Sequence, residues 1–86
     1  MNCVATCCVK HIRDEQVIRT IGERVRTLRT ARKLSMEKLA QLAEMEYRQL
    51  SNVELGQTDA SISTLSALCR ALGVSLKELM DAEGLR

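Results

Sequence analysis

LAQLAEMEYRQLSNVELG, residues 39–56, contains two runs in which apolar residues recur at helical spacing. The runs are separated by EMEY, residues 44–47, where the apolar pattern stops without any Gly or Pro. Each run is long enough for about two helical turns. Ala40 is small enough to let the backbones of two such helices cross at close range. We therefore predict two short helices at a steep angle, joined by a turn at EMEY.

Three further helical patterns surround this pair. Helix 1 is predicted over residues 14–32, with Asp14 as its N-cap and one apolar stripe along its length. Helix 4 is predicted over residues 62–72, capped by Ser61 and stopped by Gly73. Helix 5 begins with SLKE, residues 75–78, in which Ser and Glu suit a reciprocal capping box.

The two central helices are predicted as follows. Helix 2 begins after Ser35 and ends at about Ala43, and helix 3 spans residues 47–55. The core positions are the apolar residues on the inner side of each helix. They are Val17, Ile18, Ile21, Val25, Leu28, Leu39, Leu42, Leu50, Val53, Leu65, Leu68 and Leu72.

The composition favours a single all-α domain. The chain has 86 residues, 45% of them hydrophobic, no Pro, four Gly, and Tyr47 as its single aromatic residue. A core must therefore be aliphatic, and a chain of this length can bury only one. We divide the chain into a Cys-rich tail at residues 1–13, a helical domain at residues 14–82 and a short tail at residues 83–86.

The charge is unevenly distributed along the chain. Residues 1–50 carry ten basic and six acidic side chains, whereas residues 51–86 carry three and five, within a net charge of +2. A basic half joined to an acidic half suits a protein that meets a polyanion with one face. Ordinary solvated helix faces would give the same balance, so charge alone does not identify a partner.

The cysteines indicate neither a metal site nor export. Cys3, Cys7 and Cys8 lie near His11, but this spacing does not match common zinc patterns, so we predict no metal and no cofactor. A disulfide between tails and inert thiols remain open alternatives, while Cys69 is expected to be a small core residue. No apolar run in the sequence is long enough to span a membrane. The first residues also do not match the pattern of a secretory signal. A cytoplasmic protein with reduced thiols is expected.

Four segments resemble the phage-repressor and Cro-like helix-turn-helix regulators, the XRE family: IGERVRTLR (21–29), LSMEKLA (34–40), LSNVELG (50–56) and STLSALCRALGVSLKELM (63–80). The resemblance covers roughly residues 17–80. It implies a compact five-helix, lambda-repressor-like domain in which helices 2 and 3 form the helix-turn-helix. It also implies sequence-specific binding to double-stranded DNA, with helix 3 in the major groove.

The resemblance assigns roles to individual positions. Base edges would be contacted by residues on the outer side of helix 3: Tyr47, Arg48, Ser51 and Asn52. DNA phosphates would be bound by Met36 through its backbone N–H, and by Lys38, Gln57 and Thr58. An ion pair between Arg29 and Glu54 would hold helix 3 against helix 1.

The chain departs from the family pattern at three positions. Met36 stands where relatives usually have Gln, so a family DNA contact through that side chain is missing. Glu44 stands where the turn usually has Gly, which costs on the order of 1 kcal/mol if the same left-handed backbone forms. Ala60 replaces a frequent Pro in the loop before helix 4.

The resemblance implies a transcription regulator. An enzyme is not expected, because the single His lies in the tail and no Ser or Cys has a base placed by the fold. We expect a nucleoid-associated homodimeric repressor that binds a palindromic operator. The dimer surface is predicted to include Leu76, Leu79, Met80 and Leu85. Two alternatives remain open: an antitoxin that also binds a toxin, and a controller of a restriction–modification operon.

Overall fold

The computed structural model describes residues 13–81, which form five α-helices. The helices are α1 (Glu15–Ala31), α2 (Met36–Leu42), α3 (Tyr47–Glu54), α4 (Ile62–Leu72) and α5 (Leu76–Met80). The predicted all-α, five-helix architecture and the division of residues 39–56 into two helices are confirmed. The predictions for the tails, which concern Cys3, Cys7, Cys8, His11 and Leu85, lie outside the described residues.

Side-chain caps begin four of the five helices. The side chains of Asp14, Ser35, Ser61 and Ser75 each accept a hydrogen bond from the backbone N–H three residues further on. Ser75 and Glu78 form the predicted reciprocal capping box. Each cap satisfies a backbone donor that the helix itself leaves unpaired, which stabilises the fold by about 1 kcal/mol.

The first four helices end in the same left-handed turn. Each turn contains one left-handed residue, with φ between 57° and 74°. In the order of the helices these residues are Lys33, Glu44, Gly56 and Gly73. After α2, the N–H of Glu44 donates to the carbonyl of Gln41 at 3.1 Å and that of Met45 to the carbonyl of Ala40 at 2.9 Å. These two hydrogen bonds form the Schellman pattern. Glu44 therefore adopts the left-handed backbone conformation that favours Gly.

The core is aliphatic, as predicted, and lies where all five helices meet. Val25, Leu39, Leu50, Leu68 and Leu79 are its fully buried side chains. The prediction that Leu42 faces inward is wrong, because 47% of this residue is exposed. Leu42 is the last residue of α2, and it lines a shallow groove against Ala67 and Ala71 of α4 instead of entering the core.

The helices α1 and α3 approach each other closely at Gly22. A Cβ atom built on Gly22 would lie 2.3 Å from the backbone oxygen of Val53 and 2.9 Å from that of Glu54. Only a residue without a side chain allows this approach, so Gly22 sets the distance between the two helices. Among the described residues no helix is both long and apolar enough to cross a membrane.

Candidate nucleic-acid interface

The two sides of α3 differ sharply in exposure. Leu50, Val53 and Glu54 are buried against the rest of the domain. On the opposite side, 52% of Tyr47 is exposed and Arg48 is also exposed. Ser51 and Asn52 are half-buried at the edge of the same outer side. The four residues predicted to contact bases therefore share one side of one helix.

The outer side chains of α3 are free to meet a ligand. Within residues 13–81, neither Tyr47, Arg48 nor Asn52 forms a side-chain hydrogen bond or ion pair. The hydrogen-bonding capacity of Arg48 and Asn52 is thus available for bidentate pairing with guanine and adenine.

The start of α2 lies beside the start of α3. The backbone N–H of Lys38 donates to the Ser35 hydroxyl at 3.0 Å. The N–H groups of Met36 and Glu37 have no partner within the helix. The Met36 side chain is half-buried and packs against the core, and the Lys38 side chain is exposed. Lys38 and Tyr47 line one shallow groove of about 530 Å³ between the two helices.

The loop after α3 carries the other predicted phosphate ligands. Gln57 is exposed and Thr58 is half-buried. The Arg13 guanidinium donates to the backbone oxygen of Gln57 at 3.4 Å. The loop begins at Gly56, which lies against the backbone of Arg19 on α1. The predicted phosphate ligands therefore occupy both ends of the outer side of α3.

Arg29 and Glu54 form an ion pair that joins α1 to α3. Arg29 Nε lies 2.7 Å from Glu54 Oε2, and its Nη2 lies 3.2 Å from Oε1, so the carboxylate is held by two hydrogen bonds. The side chains are only 12% and 4% exposed. Arg29 also donates from Nη1 to the backbone oxygen of Leu34, just before α2, at 2.8 Å. One guanidinium therefore holds α1, the approach to α2 and the end of α3 together.

Two contributors to this arrangement were missed by the sequence analysis. Gly22 controls how closely α3 approaches α1, and a lone Gly inside an apolar helical stripe is a signal that could have revealed it. The bond from Arg29 to Leu34 had no sequence signal, because a backbone acceptor leaves no trace in residue identity.

The predicted dimer surface is only partly available. Leu79 is fully buried inside the domain, and this contradicts its assignment to an interface with a second copy. It lies on the side of α5 that packs into the core, which a five-residue helix needs in order to be held at all. Leu76 is 37% exposed and Met80 is half-buried beside it.

The buried thiol of Cys69 has a shifted pKa. Burial raises the pKa of the Cys69 thiol, which lies in the core of α4 as predicted. Residues 13–81 contain no group of three or more His, Cys, Asp or Glu side chains placed to hold a metal ion.

Comparisons with known proteins agree with this geometry. A family model described as Helix-turn-helix matches residues 25–79. Control protein C.SmaI of Serratia marcescens is 32% identical over 66 residues, covering 77% of this chain and 79% of the relative. The immunity repressor protein of Bacillus phage phi105 is 33% identical over 66 residues, which is 77% of this chain but only 46% of the repressor.

The fold also matches a solved structure. The restriction-modification controller protein C.AhdI from Aeromonas hydrophila superposes with a TM-score of 0.71 and 37% sequence identity. The match covers 72% of this chain and 94% of the controller protein.

Proposed function

The chain belongs to the helix-turn-helix family of DNA-binding transcription regulators, and from this we propose that it is a repressor whose homodimer binds a palindromic operator. In this proposal α3 lies in the major groove of each half-site. The observation that carries it is the outer side of α3, where Arg48 and Asn52 have no partner within residues 13–81 while the inner side is fixed to α1.

Base recognition is assigned to side chains of α3. Arg48 suits bidentate pairing with guanine O6 and N7, and Asn52 suits pairing with adenine N6 and N7. Ser51 and Tyr47 complete the predicted set, with Tyr47 able to meet a thymine methyl group or to donate to a phosphate. Each good bidentate pair contributes about 1–3 kcal/mol of discrimination against a wrong base.

Phosphate contacts are assigned to the two ends of α3. Lys38 and the free backbone N–H of Met36 would bind one strand, and Gln57 and Thr58 would bind the other. These contacts carry no sequence information, but they fix the orientation of α3 in the groove.

Dimerisation follows from the small size of the proposed site. One α3 helix contacts too few base pairs to select an operator within a genome, whereas two copies related by a twofold axis contact two half-sites about one helical turn apart. We assign the dimer surface to Leu76, Met80 and Leu85, without Leu79. Light scattering at micromolar concentration should give the mass of a dimer, free or bound to DNA; a monomer in both states would contradict it.

Repression would be steric. A dimer bound over a promoter on the nucleoid, in the cytoplasm, excludes RNA polymerase from the same DNA, and this action needs no cofactor.

A selection experiment tests the proposal. The purified protein is incubated with a library of random duplex DNA near physiological salt, and the bound fraction is sequenced. We expect a twofold-symmetric motif with half-site centres about 10 base pairs apart. Arg48→Ala should relax the motif at one position in each half-site.

Arg70→Ala is the matched control, because it removes the same charge from an exposed position on α4, beside the groove that Leu42 lines. It should leave the selected motif unchanged. Recovery of DNA without a shared motif would contradict the proposal and would indicate binding by charge alone.

The relatives favour one alternative role. C.SmaI is a control protein by name, and C.AhdI, a restriction-modification controller protein by name, is matched over 94% of its length. A restriction–modification controller would find its operator beside genes for an endonuclease and a methyltransferase, whereas an antitoxin would co-purify with a toxin encoded next to it. Mapping the selected motif onto the genome distinguishes these roles.

A further inference from the structure

A groove beside α3 holds a basic residue that none of the assignments above uses. The groove has a volume of about 220 Å³ and runs between α1, the start of α2 and the outer edge of α3. Its lining consists of Arg26, Arg29, Met36, Ser51, Glu54 and Leu55. Because Ser51 belongs to the side of α3 assigned to DNA, the groove opens on that same face.

Arg26 differs from Arg24, Arg29 and Arg32, the arginines nearest to it along the chain. Arg29 is committed to Glu54 and Leu34. Arg24 donates to the backbone oxygen of Glu78, and Arg32 donates to that of Leu72. Arg26 is exposed, and within residues 13–81 its guanidinium has neither an ion-pair nor a hydrogen-bond partner. The domain therefore uses three of these four guanidinium groups internally and leaves the fourth free.

The charge of the groove is set by Arg26 alone. Arg29 and Glu54 both line it, but they neutralise each other through their two hydrogen bonds. The remaining charge is the single positive charge of Arg26. A guanidinium presents several N–H donors in a planar fork that matches phosphate oxygens.

We propose that this groove receives a phosphate of the operator backbone, with Arg26 as a phosphate-positioning residue. The proposal rests on the DNA-binding function above and adds a contact from α1 to those assigned to α2 and α3. It also gives the domain a side-chain phosphate ligand next to Met36, whose own side chain has no polar group to offer. Arg26 would fix the angle of α3 in the major groove without contacting a base.

The test compares Arg26→Gln with the wild-type protein on the operator found by selection. Removal of one phosphate contact from each protomer should reduce the slope of log K against log salt concentration by about 1.8 per dimer. Affinity should fall roughly 10- to 100-fold near physiological salt. The fall should be similar on operator and on unrelated duplex DNA, because a phosphate contact carries no sequence information. The melting temperature should not change.

The control is Arg70→Gln, which removes one exposed charge from α4 and should leave the salt slope nearly unchanged. Phosphate ethylation interference locates the contact. Ethylation at one phosphate in each half-site should weaken the wild-type protein but have no further effect on Arg26→Gln. A wild-type salt slope in Arg26→Gln, or equal slopes in the two variants, would overturn the assignment of Arg26.

Failure of this inference can be separated from failure of the proposed function. If the wild-type protein selects a symmetric motif and Arg26→Gln binds it with the same slope, only the phosphate assignment is wrong. If the wild-type protein selects no motif, the operator itself is absent and both proposals are wrong.

Discussion

The α1–α3 junction and the α4–α5 side of the domain are stabilised in different ways. The junction depends on a side-chain-free contact at Gly22 and on a nearly buried ion pair between Arg29 and Glu54. The α4–α5 side is held by aliphatic packing around Leu68 and Leu79. Aliphatic packing tolerates exchange between side chains of similar volume, whereas the junction depends on specific atoms at specific distances.

The turns show the same contrast. The left-handed turns after α1 and α2 carry Lys33 and Glu44, both at a cost in backbone free energy, whereas the turns after α3 and α4 carry Gly56 and Gly73. The two turns that flank α2 therefore have the less favourable backbone, and the buried ion pair lies nearby at the junction of α1 and α3. The comparison teaches that the orientation of α3 depends on specific contacts at the junction with α1, whereas α4 and α5 contribute by burying aliphatic side chains.

The largest expected effect is that of Gly22→Ala. The added Cβ would overlap the backbone oxygen of Val53, so the helices must move apart, and we expect a loss of about 3 kcal/mol or more in the free energy of unfolding. Urea denaturation measures the loss. Gly73→Ala is the matched control, because its Cβ would enter open space, and its left-handed backbone should cost only about 1 kcal/mol. Equal losses for the two variants would remove the distinction between the regions.

The second effect is that of Glu54→Ala. It leaves the guanidinium of Arg29 nearly buried without its carboxylate, and this should cost about 2–3 kcal/mol. Affinity for the operator should fall as well, because the pair orients α3. Thermal melting and DNA titration measure the two effects.

The control for Glu54→Ala is Glu15→Ala, which removes the exposed ion pair with Arg13 and should cost less than about 1 kcal/mol. An unchanged melting temperature for Glu54→Ala would show that the pair does not stabilise the junction.

The sequence predicted the helices well because their signals are local. Helix ends came within about one residue wherever a cap marked them, as at Asp14, Ser35 and Ser61. It failed at Leu42 and Leu79, because periodicity shows which residues share a side but not where the packing against another helix stops. The groove beside Arg26 joins three elements, so no single segment indicated it.

A smaller effect is expected for Glu44→Gly. Gly adopts the left-handed conformation without a steric cost, so the variant should be more stable by about 0.5–1 kcal/mol. Gln41→Gly, inside α2, should instead destabilise by about 1 kcal/mol. The denaturation midpoints of the two variants should move in opposite directions. A lower midpoint for Glu44→Gly would mean that its side chain contributes more than its backbone costs.

The smallest effect concerns Cys69, the buried thiol of the α4–α5 side. Burial raises its pKa in the folded state above the usual value of 9.0, so the folded state retains the proton that the unfolded chain releases. The stability that this group contributes is present in full below pH 9.0 and falls as pH rises above it. The free energies of unfolding of the wild type and Cys69→Ala should therefore converge between pH 7.5 and pH 10, by at most about 1.4 kcal/mol per pH unit. A constant difference would contradict this.

The free outer side of α3 has an evolutionary consequence. Because Tyr47, Arg48 and Asn52 make no side-chain hydrogen bonds or ion pairs within residues 13–81, their replacement removes no such bond from the domain. Surface substitutions of this kind usually change stability by less than about 0.5 kcal/mol. If α3 binds DNA as proposed, the domain can acquire a new operator by mutation without first losing its fold. Related genes can diverge in target while sharing one scaffold.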